Sequence, residues 1–238
     1  MRVSRKGVLY GVGVGPGDPD LITLKAVGVI KRCPVIAYPA PESGDSLTRA
    51  IVAAHLPSGQ IEIPIRMPLD AARFPADAIY DQAASDIEAH LDAGHDVAAI
   101  CQGDPFFYGS FMYLYGRLAR RYDVVVIPGV SSLMACATTM GAPLAARMDV
   151  LTIIPAPLSA EDIARRIAVA DAVAIIKLGR HFEKVYGVLS GLGLLDQAHY
   201  VEHATLPTER IIALRDVDPQ SVPYFSMILV HKRGTVWG

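Results

Sequence analysis

The sequence predicts an α/β protein of two domains, a mainly parallel N-terminal sheet followed by a mixed C-terminal one. In the first half, short apolar runs with β-branched residues alternate with longer helical patterns, the arrangement that pairs strands in parallel through crossover helices. In the second half strands outnumber helices, which calls for partly antiparallel pairing. The 238 residues, 52% of them hydrophobic, also suffice for one large core or two smaller ones.

In chain order, residues 8–14 read as a buried strand, 15–20 as a loop and 21–31 as a helix. Residues 34–38 form a second short strand. Residues 46–55 read as a helix, with Asp45 or Ser46 as its cap. Residues 61–67 alternate like a strand, and Pro64 places it at an edge or a bulge. A helical pattern over 76–93 stops at Gly94, a C-terminal cap residue. Residues 97–101 make a strand. The segment CQGDPFFYGSFMYLYGRL follows, predicted as a helix, and holds six of the chain's seventeen aromatic residues (Phe 6, Tyr 10, Trp 1). Helical spacing would align Phe107, Phe111 and Tyr115 on one buried side. A strand at 124–127 ends in Pro128-Gly129. Beyond it, strands are expected at 150–154, 172–177, 198–203, 209–213 and 225–230, with helices only at 160–169 and 181–191. The domain boundary is placed near 120–123, giving domains 1–121 and 122–238. No internal repeat or low-complexity segment is evident.

The net charge of −2 and the scattered basic residues argue against a nucleic-acid surface. Cys33, Cys101 and Cys136 are odd in number and widely spaced, so they read as buried small hydrophobes in a reducing compartment. No stretch approaches the length of a membrane span, and the basic residues at 1–6 run into a glycine-rich turn rather than an apolar core. A cytoplasmic protein without membrane or nucleic-acid partners is expected.

Ligands of open α/β sheets bind beyond the carboxyl ends of the strands. Three such ends carry sharp turns here: GVGVGPGDPD at 11–20, QGDP at 102–105 and PGVSS at 128–132. The first fails the dinucleotide fingerprint, because the third glycine falls on Pro16 or on Asp18. Pro16 has no N–H for a pyrophosphate, and Asp18 and Asp20 would repel one. An acidic, glycine-lined pocket suits a ligand carrying positive charge and ribose hydroxyls. A second motif, HYVEH at 199–203, matches a zinc-peptidase pattern that needs a helix. Read as a strand, it holds His199 and His203 about 13 Å apart, too far to share a zinc. No metal site is assigned.

The segments GVGVGPGDPDLITLKAVGVIKRCPVIAYPAPESG, CQGDPFFYGSFMYLYGRL and PGVSSLMACATTMGAPLA together resemble the tetrapyrrole methylases of cobalamin biosynthesis. The likeness runs to PYFSMILVHKRG, nearly the whole chain. The GPGD and GDP turns are shared across that superfamily. The continuations YPAP and FFYGSFMYL resemble its branch that methylates C20 of precorrin-2 to give precorrin-3A.

The resemblance implies a homodimer of two-domain subunits, with S-adenosylmethionine held between the domains and a tetrapyrrole as substrate. Carried over by position, the cofactor site comprises Pro16, Gln102, Gly103, Asp104, Phe107, Ser131 and Ser132, with Leu178 and Ala204 from the second domain. Asp104 could accept hydrogen bonds from the cofactor, and the serines could satisfy its adenine or methionine end or cap a helix. Asp18, Tyr38, Glu42 and Arg49 are candidates for the tetrapyrrole side. Arg49, Arg66, Arg73 and Arg147 could meet the substrate's carboxylates or be solvated surface cations. In uroporphyrinogen methylases a proposed proton-accepting aspartate follows the second strand's tyrosine. Here that position, after Tyr38, is Pro39, so that base is not carried over.

A reduced tetrapyrrole is an electron-rich, enamine-like nucleophile, so alignment with the methyl group is the main requirement. Tyr108, Glu42 and His203 are candidates for later proton removal, with Tyr108 the assigned catalytic residue. A methylase acting on the cobalt-containing analogue, a sister methylase acting at another ring carbon and a non-catalytic tetrapyrrole-binding module are the other readings.

Overall fold

The computed structural model describes residues 5–67 and 77–233; Arg73 lies outside them. The chain divides into two compact units, Met1–Ser131 and Ser132–Gly238.

The first unit is built on β1 (Leu9–Gly13), β2 (Val35–Pro41), β3 (Ile61–Met67), β4 (Val97–Cys101) and β5 (Val124–Ile127), in the order β3-β2-β4-β1-β5. Every pairing among them is parallel. Helices α1 (Leu24–Arg32) and α2 (Leu47–Ile51) cover one face, burying Ala26, Val29, Ile30 and Ile51 against Val12, Ile36, Ile100 and Ile127. Helices α3 (Asp77–Asp92) and α4 (Phe111–Leu118) cover the other, where Tyr80, Ile87, Leu91, Phe111, Leu114 and Leu118 pack on Leu9, Val35, Ala37, Val97 and Ala99.

Local chemistry sets these boundaries. Thr23 Oγ1 accepts from the Ala26 amide at 3.2 Å and starts α1, whose last turn carries Lys31 and Arg32 against the helix dipole. Ser46 starts α2 in the same way, accepting from the Arg49 amide. The chain leaves α3 through Gly94 at φ 86°, a conformation open to a residue without Cβ. Pro64 lies on the edge strand β3, as its missing N–H requires.

The second unit contains α5 (Ser132–Met140), β6 (Leu151–Pro155), α6 (Ala160–Val169), β7 (Ala172–Ile176), α7 (Phe182–Gly191), β8 (Ala198–Glu202), β9 (Arg210–Ala213) and β10 (Ser226–His231). Its sheet runs β6-β7-β10-β8-β9. Only β6 and β7 pair in parallel, and β10 is antiparallel to both of its neighbours. Ile163 and Ile167 of α6 and Phe182, Val185 and Leu189 of α7 form its core with Val173, Ile175, Tyr200 and Ile228.

Two expectations are corrected and one is given its bounds. β5 hydrogen-bonds to β1 across four registered pairs, so the first unit runs past the expected boundary at 121–122 to Ser131. Helix α5 enters the sequence reading only as a helix that Ser131 and Ser132 could cap, without bounds: SLMACATTM has no charged residue to mark an outer face and buries only Leu133, Ala135 and Cys136. The aromatic segment is helical only from Phe111, because Pro105 and the turn at 106–110 break it. Phe107 is therefore off the helix, Tyr115 is 39% exposed, and the buried face of α4 is Phe111, Leu114 and Leu118. Among the described residues, no helix is long and apolar enough to cross a membrane.

Candidate functional site

The connections leaving β1 and β4 run over opposite faces of the first sheet, to β2 on one side and β5 on the other. This is a topological switch point, where the strand ends open a crevice. All three glycine turns meet there. Gly15 and Gly103 form an isolated antiparallel bridge, with the Gly103 amide donating to the Gly15 carbonyl at 2.7 Å. Gln102 Nε2 donates to the Pro16 carbonyl at 2.7 Å. A Cβ on Gly129 would stand 2.1 Å from the Gly103 carbonyl oxygen, and one on Gly13 would stand 2.6 Å from it. The turns touch backbone to backbone, so glycine at 13 and 129 is a packing requirement.

Asp104 joins the second turn to the third. Its Oδ1 accepts from the Phe106 amide at 2.9 Å and its Oδ2 from the Gly129 amide at 3.1 Å. Each carboxylate oxygen is thus engaged by the main chain, and Asp104 acts first as a staple of the turns. Asp18 has a comparable local task, accepting from the Asp20 amide at 2.9 Å to cap the short 3-10 turn Pro19–Leu21. Phe107 is half-buried, with its ring edge-on to Tyr108 at 5.1 Å between centroids. Tyr108 is 45% exposed and holds φ 54°, a left-handed conformation costly for a bulky side chain and concentrated at functional sites.

Beside the middle of β2 and the start of β3, Tyr38, Arg49 and Glu62 form one cluster. The Tyr38 hydroxyl donates to Glu62 Oε2 at 2.7 Å. Arg49 donates from Nε to Oε2 and from Nη2 to Oε1, both at 2.7 Å. The Arg49 fork, reinforced by the Tyr38 hydroxyl, holds the Glu62 carboxyl down at about 2. Burial, followed by the bond to Glu62, pushes the Tyr38 phenol up. Arg49, considered above as a free partner for substrate carboxylates, already has a carboxylate partner in its own chain. Glu42 is exposed, as are Arg66 and Arg147; Arg66 donates to the Pro41 carbonyl at 3.0 Å. Glu62 was missed by the sequence reading. Its signal was the register of β2 with β3, Ile36 opposite Glu62 and Tyr38 opposite Pro64, which sets Glu62 diagonal to Tyr38 on one face.

Ser131 ends the first unit and Ser132 opens α5 in the second. In the second unit, Leu178 follows β7 and is fully buried, and Ala204 follows β8 and is half-buried. The segments that carry them hold three non-glycine residues at positive φ: Lys177 at 62°, His203 at 52° and Thr205 at 67°. Burial lowers the Lys177 ammonium. His203 Nδ1 lies 3.1 Å from the Thr208 hydroxyl. HYVEH lies on β8 and the residue after it, extended rather than helical. Among the described residues, no three His, Cys, Asp or Glu side chains converge as metal ligands.

The chemistry of the turn cluster fits a sulfonium cofactor. GVGVGPGDPD, QGDPFFYGS and PGVSS contain no Lys or Arg and offer carbonyls, hydroxyls, carboxylates and three aromatic rings. Such a lining favours a cation with uncharged ribose hydroxyls over a phosphate.

Four similarities bear on this arrangement. The chain is 41% identical over 236 residues to the cobalamin biosynthesis protein CobIJ of Mycobacterium tuberculosis, covering 96% of this chain and 46% of that protein. It thus spans about half the length of that relative. It is 38% identical over 232 residues to the precorrin-2 C(20)-methyltransferase of a Sinorhizobium species, covering 94% of this chain and 95% of the other. Its fold matches the uroporphyrin-III C-methyl transferase of Thermus thermophilus complexed with S-adenyl homocysteine, with a TM-score of 0.68, 25% identity and coverage of 94% and 97%. The family model of the Tetrapyrrole (Corrin/Porphyrin) Methylases matches residues 8–217, most of the chain. With two α/β units and glycine turns gathered at the strand ends of the first, this chain belongs to the tetrapyrrole methylases.

Proposed function

We propose that the protein transfers a methyl group from S-adenosylmethionine to C20 of precorrin-2, giving precorrin-3A and S-adenosylhomocysteine in cobalamin biosynthesis. The observation that carries this reading is the near end-to-end similarity to a precorrin-2 C(20)-methyltransferase at 38% identity. The lining of the turn cluster supports the cofactor independently. A homodimer in the cytoplasm belongs to the same reading, on the strength of the family resemblance.

In this reading Pro16, Gln102, Gly103, Asp104 and Phe107, with Ser131 and Ser132, hold the cofactor from the first unit, and Leu178 and Ala204 hold it from the second. Bound there, the cofactor supplies an electrophilic methyl group. The protein's own contribution is alignment in a dry pocket, because the reduced macrocycle is already nucleophilic. Asp104 works through the backbone it staples, fixing the second turn to the third through the Phe106 and Gly129 amides. Asp18, Tyr38, Glu42 and Arg49 face the tetrapyrrole. Tyr108 is the assigned proton-handling group, held at the strained end of the Phe106–Gly109 turn.

The test is incubation with methyl-labelled S-adenosylmethionine and precorrin-2, with the label mapped on the product by carbon NMR. Label at C20 is expected. Label at another ring carbon, or cofactor binding without transfer, would overturn the reading in favour of a sister methylase or a binding module. Faster turnover of cobalt-loaded than of metal-free substrate would reassign the substrate. A Tyr108→Phe enzyme with full turnover would remove the phenol from the mechanism.

A further inference from the structure

The carboxylate of Glu62, at the start of β3, takes three hydrogen bonds from two partners. The geometry of the Arg49 grip is specific. Glu62 binds the side-on pair of the guanidinium, the Nε–H and one hydrogen of Nη2. A guanidinium is a planar fork with five N–H groups. The end-on pair, formed by Nη1 and the outer hydrogen of Nη2, therefore points away from Glu62. That pair is itself a bidentate carboxylate receptor. The Arg49 side chain is 40% exposed.

The surroundings suit a carboxylate-bearing guest. Tyr38 is almost wholly buried and reaches the cluster only through its hydroxyl. Arg66 shares the Glu62 face of β3, four residues on, and is braced by the Pro41 carbonyl. Arg49 is thus fixed near the start of β3 and Arg66 near its end, each by an acceptor of the protein. The internal pairing with Glu62 cancels much of the net charge of Arg49, leaving the planar fork as the basis of selection.

We propose that Glu62 is a positioning residue that presents the end-on fork of Arg49 to a carboxylate of the tetrapyrrole substrate, with Tyr38 bracing the carboxylate that does so. The role rests on the proposed function and goes beyond it by assigning the specificity to one pair. Glu62 itself touches no substrate. Without it, Arg49 keeps its charge but loses its orientation, so substrate affinity falls more than the chemical step does.

The experiment compares the wild-type protein with Glu62→Gln, Arg49→Lys and the double variant, using precorrin-2 and its carboxyl-methylated ester. Circular dichroism and thermal melting establish folding, and Arg49→Lys carries the test if Glu62→Gln does not fold. Each single variant is expected to raise KM for precorrin-2 about tenfold while kcat falls less than about threefold. The affinity for S-adenosylhomocysteine, measured by calorimetry, is expected to stay at the wild-type value. The double variant should be no worse than either single one, because the two residues act as a unit. Esterification should raise the wild-type KM towards that of the variants and change theirs little. An unchanged KM, an equal loss in kcat and KM with wild-type cofactor affinity, or additive single effects would overturn the role of Glu62 alone. A wild-type protein that binds S-adenosylhomocysteine but does not methylate precorrin-2 would overturn the function, and this role with it.

Discussion

At the scale of single residues, the first unit's strand ends are organised by what side chains leave out. Gly13 and Gly129 let three turns approach within backbone contact, and Asp104 fastens the second turn to the third through the Gly129 amide. A methyl group at 129 would meet the Gly103 carbonyl oxygen at 2.1 Å, and that atom is backbone, held in its bridge to Gly15. It cannot swing aside as a side-chain tip could. Gly129→Ala should therefore push the second and third turns apart and cost about 3 kcal/mol, as overpacking does in a close-packed site. Chemical denaturation measures the stability loss, and calorimetry with S-adenosylhomocysteine should show weakened binding in the fraction that stays folded. Gly28 is the control: nothing lies within 4 Å of an added Cβ and it sits within α1, so Gly28→Ala should be neutral or stabilising. Equal stability of the two variants would mean that the turns are not packed as described.

At the scale of elements, α4 shows where sequence periodicity succeeds and where it fails. The period correctly marks a helix in CQGDPFFYGSFMYLYGRL, but it was counted from Phe107, four residues too early. Phe107, Phe111 and Tyr115 then fall in line although the chain between Asp104 and Ser110 is a turn stapled by the Asp104 carboxylate. With the helix starting at Phe111, the inward positions are Phe111, Leu114 and Leu118, and the Phe111 ring fits over Gly11 of β1. Tyr115 lies outside, edge-on to Phe106 at 5.1 Å. Leu114→Ala should accordingly cost about 2–5 kcal/mol and Tyr115→Ala about 1 kcal/mol or less, read from urea titrations of each. The opposite ranking would restore the earlier face. The same contrast runs through the molecule. Strand β4 was legible as an apolar run buried throughout, helix α6 because Ile163 and Ile167 repeat on one buried face, and Pro64 as an edge marker because of its missing donor. The extent of helix α5 was not, since an apolar helix without charges leaves no periodic trace beyond its serine cap. The positions of Pro16, Gln102 and Gly103 in the turn cluster were legible as motifs, whereas Glu62 was not. Its partners Tyr38 and Arg49 come from another strand and a helix, and only the β2–β3 register brings it to them.

At the scale of the whole molecule, the three cysteines give one reporter position for each packed region. Cys101 lies in the β-sheet core beneath α3 and α4, Cys33 in the core beneath α1 and α2, and Cys136 on the buried side of α5 in the second unit. All three are free, and none is more than 5% exposed. Burial dominates the environment of each and pushes its thiol up to about 12, with Asp96 adding to the effect at Cys33, Asp104 at Cys101 and Glu209 at Cys136. A thiol reacts as its thiolate, so at pH 8 these groups are protected twice, by access and by protonation. The folded protein should therefore react with a disulfide reagent far more slowly than a free thiol does, and three equivalents should appear at once in denaturant. Each thiol should then become reactive only through opening of the region that holds it, so single-cysteine variants would time the opening of the first unit's two faces and of the second unit separately. Raising the pH from 8 to 9 should accelerate the unfolded chain's reaction with its greater thiolate fraction. In the native protein the same rise should act only through the opened population. A fast native phase that follows pH as an accessible thiol would place that cysteine at the surface and overturn the burial of its region.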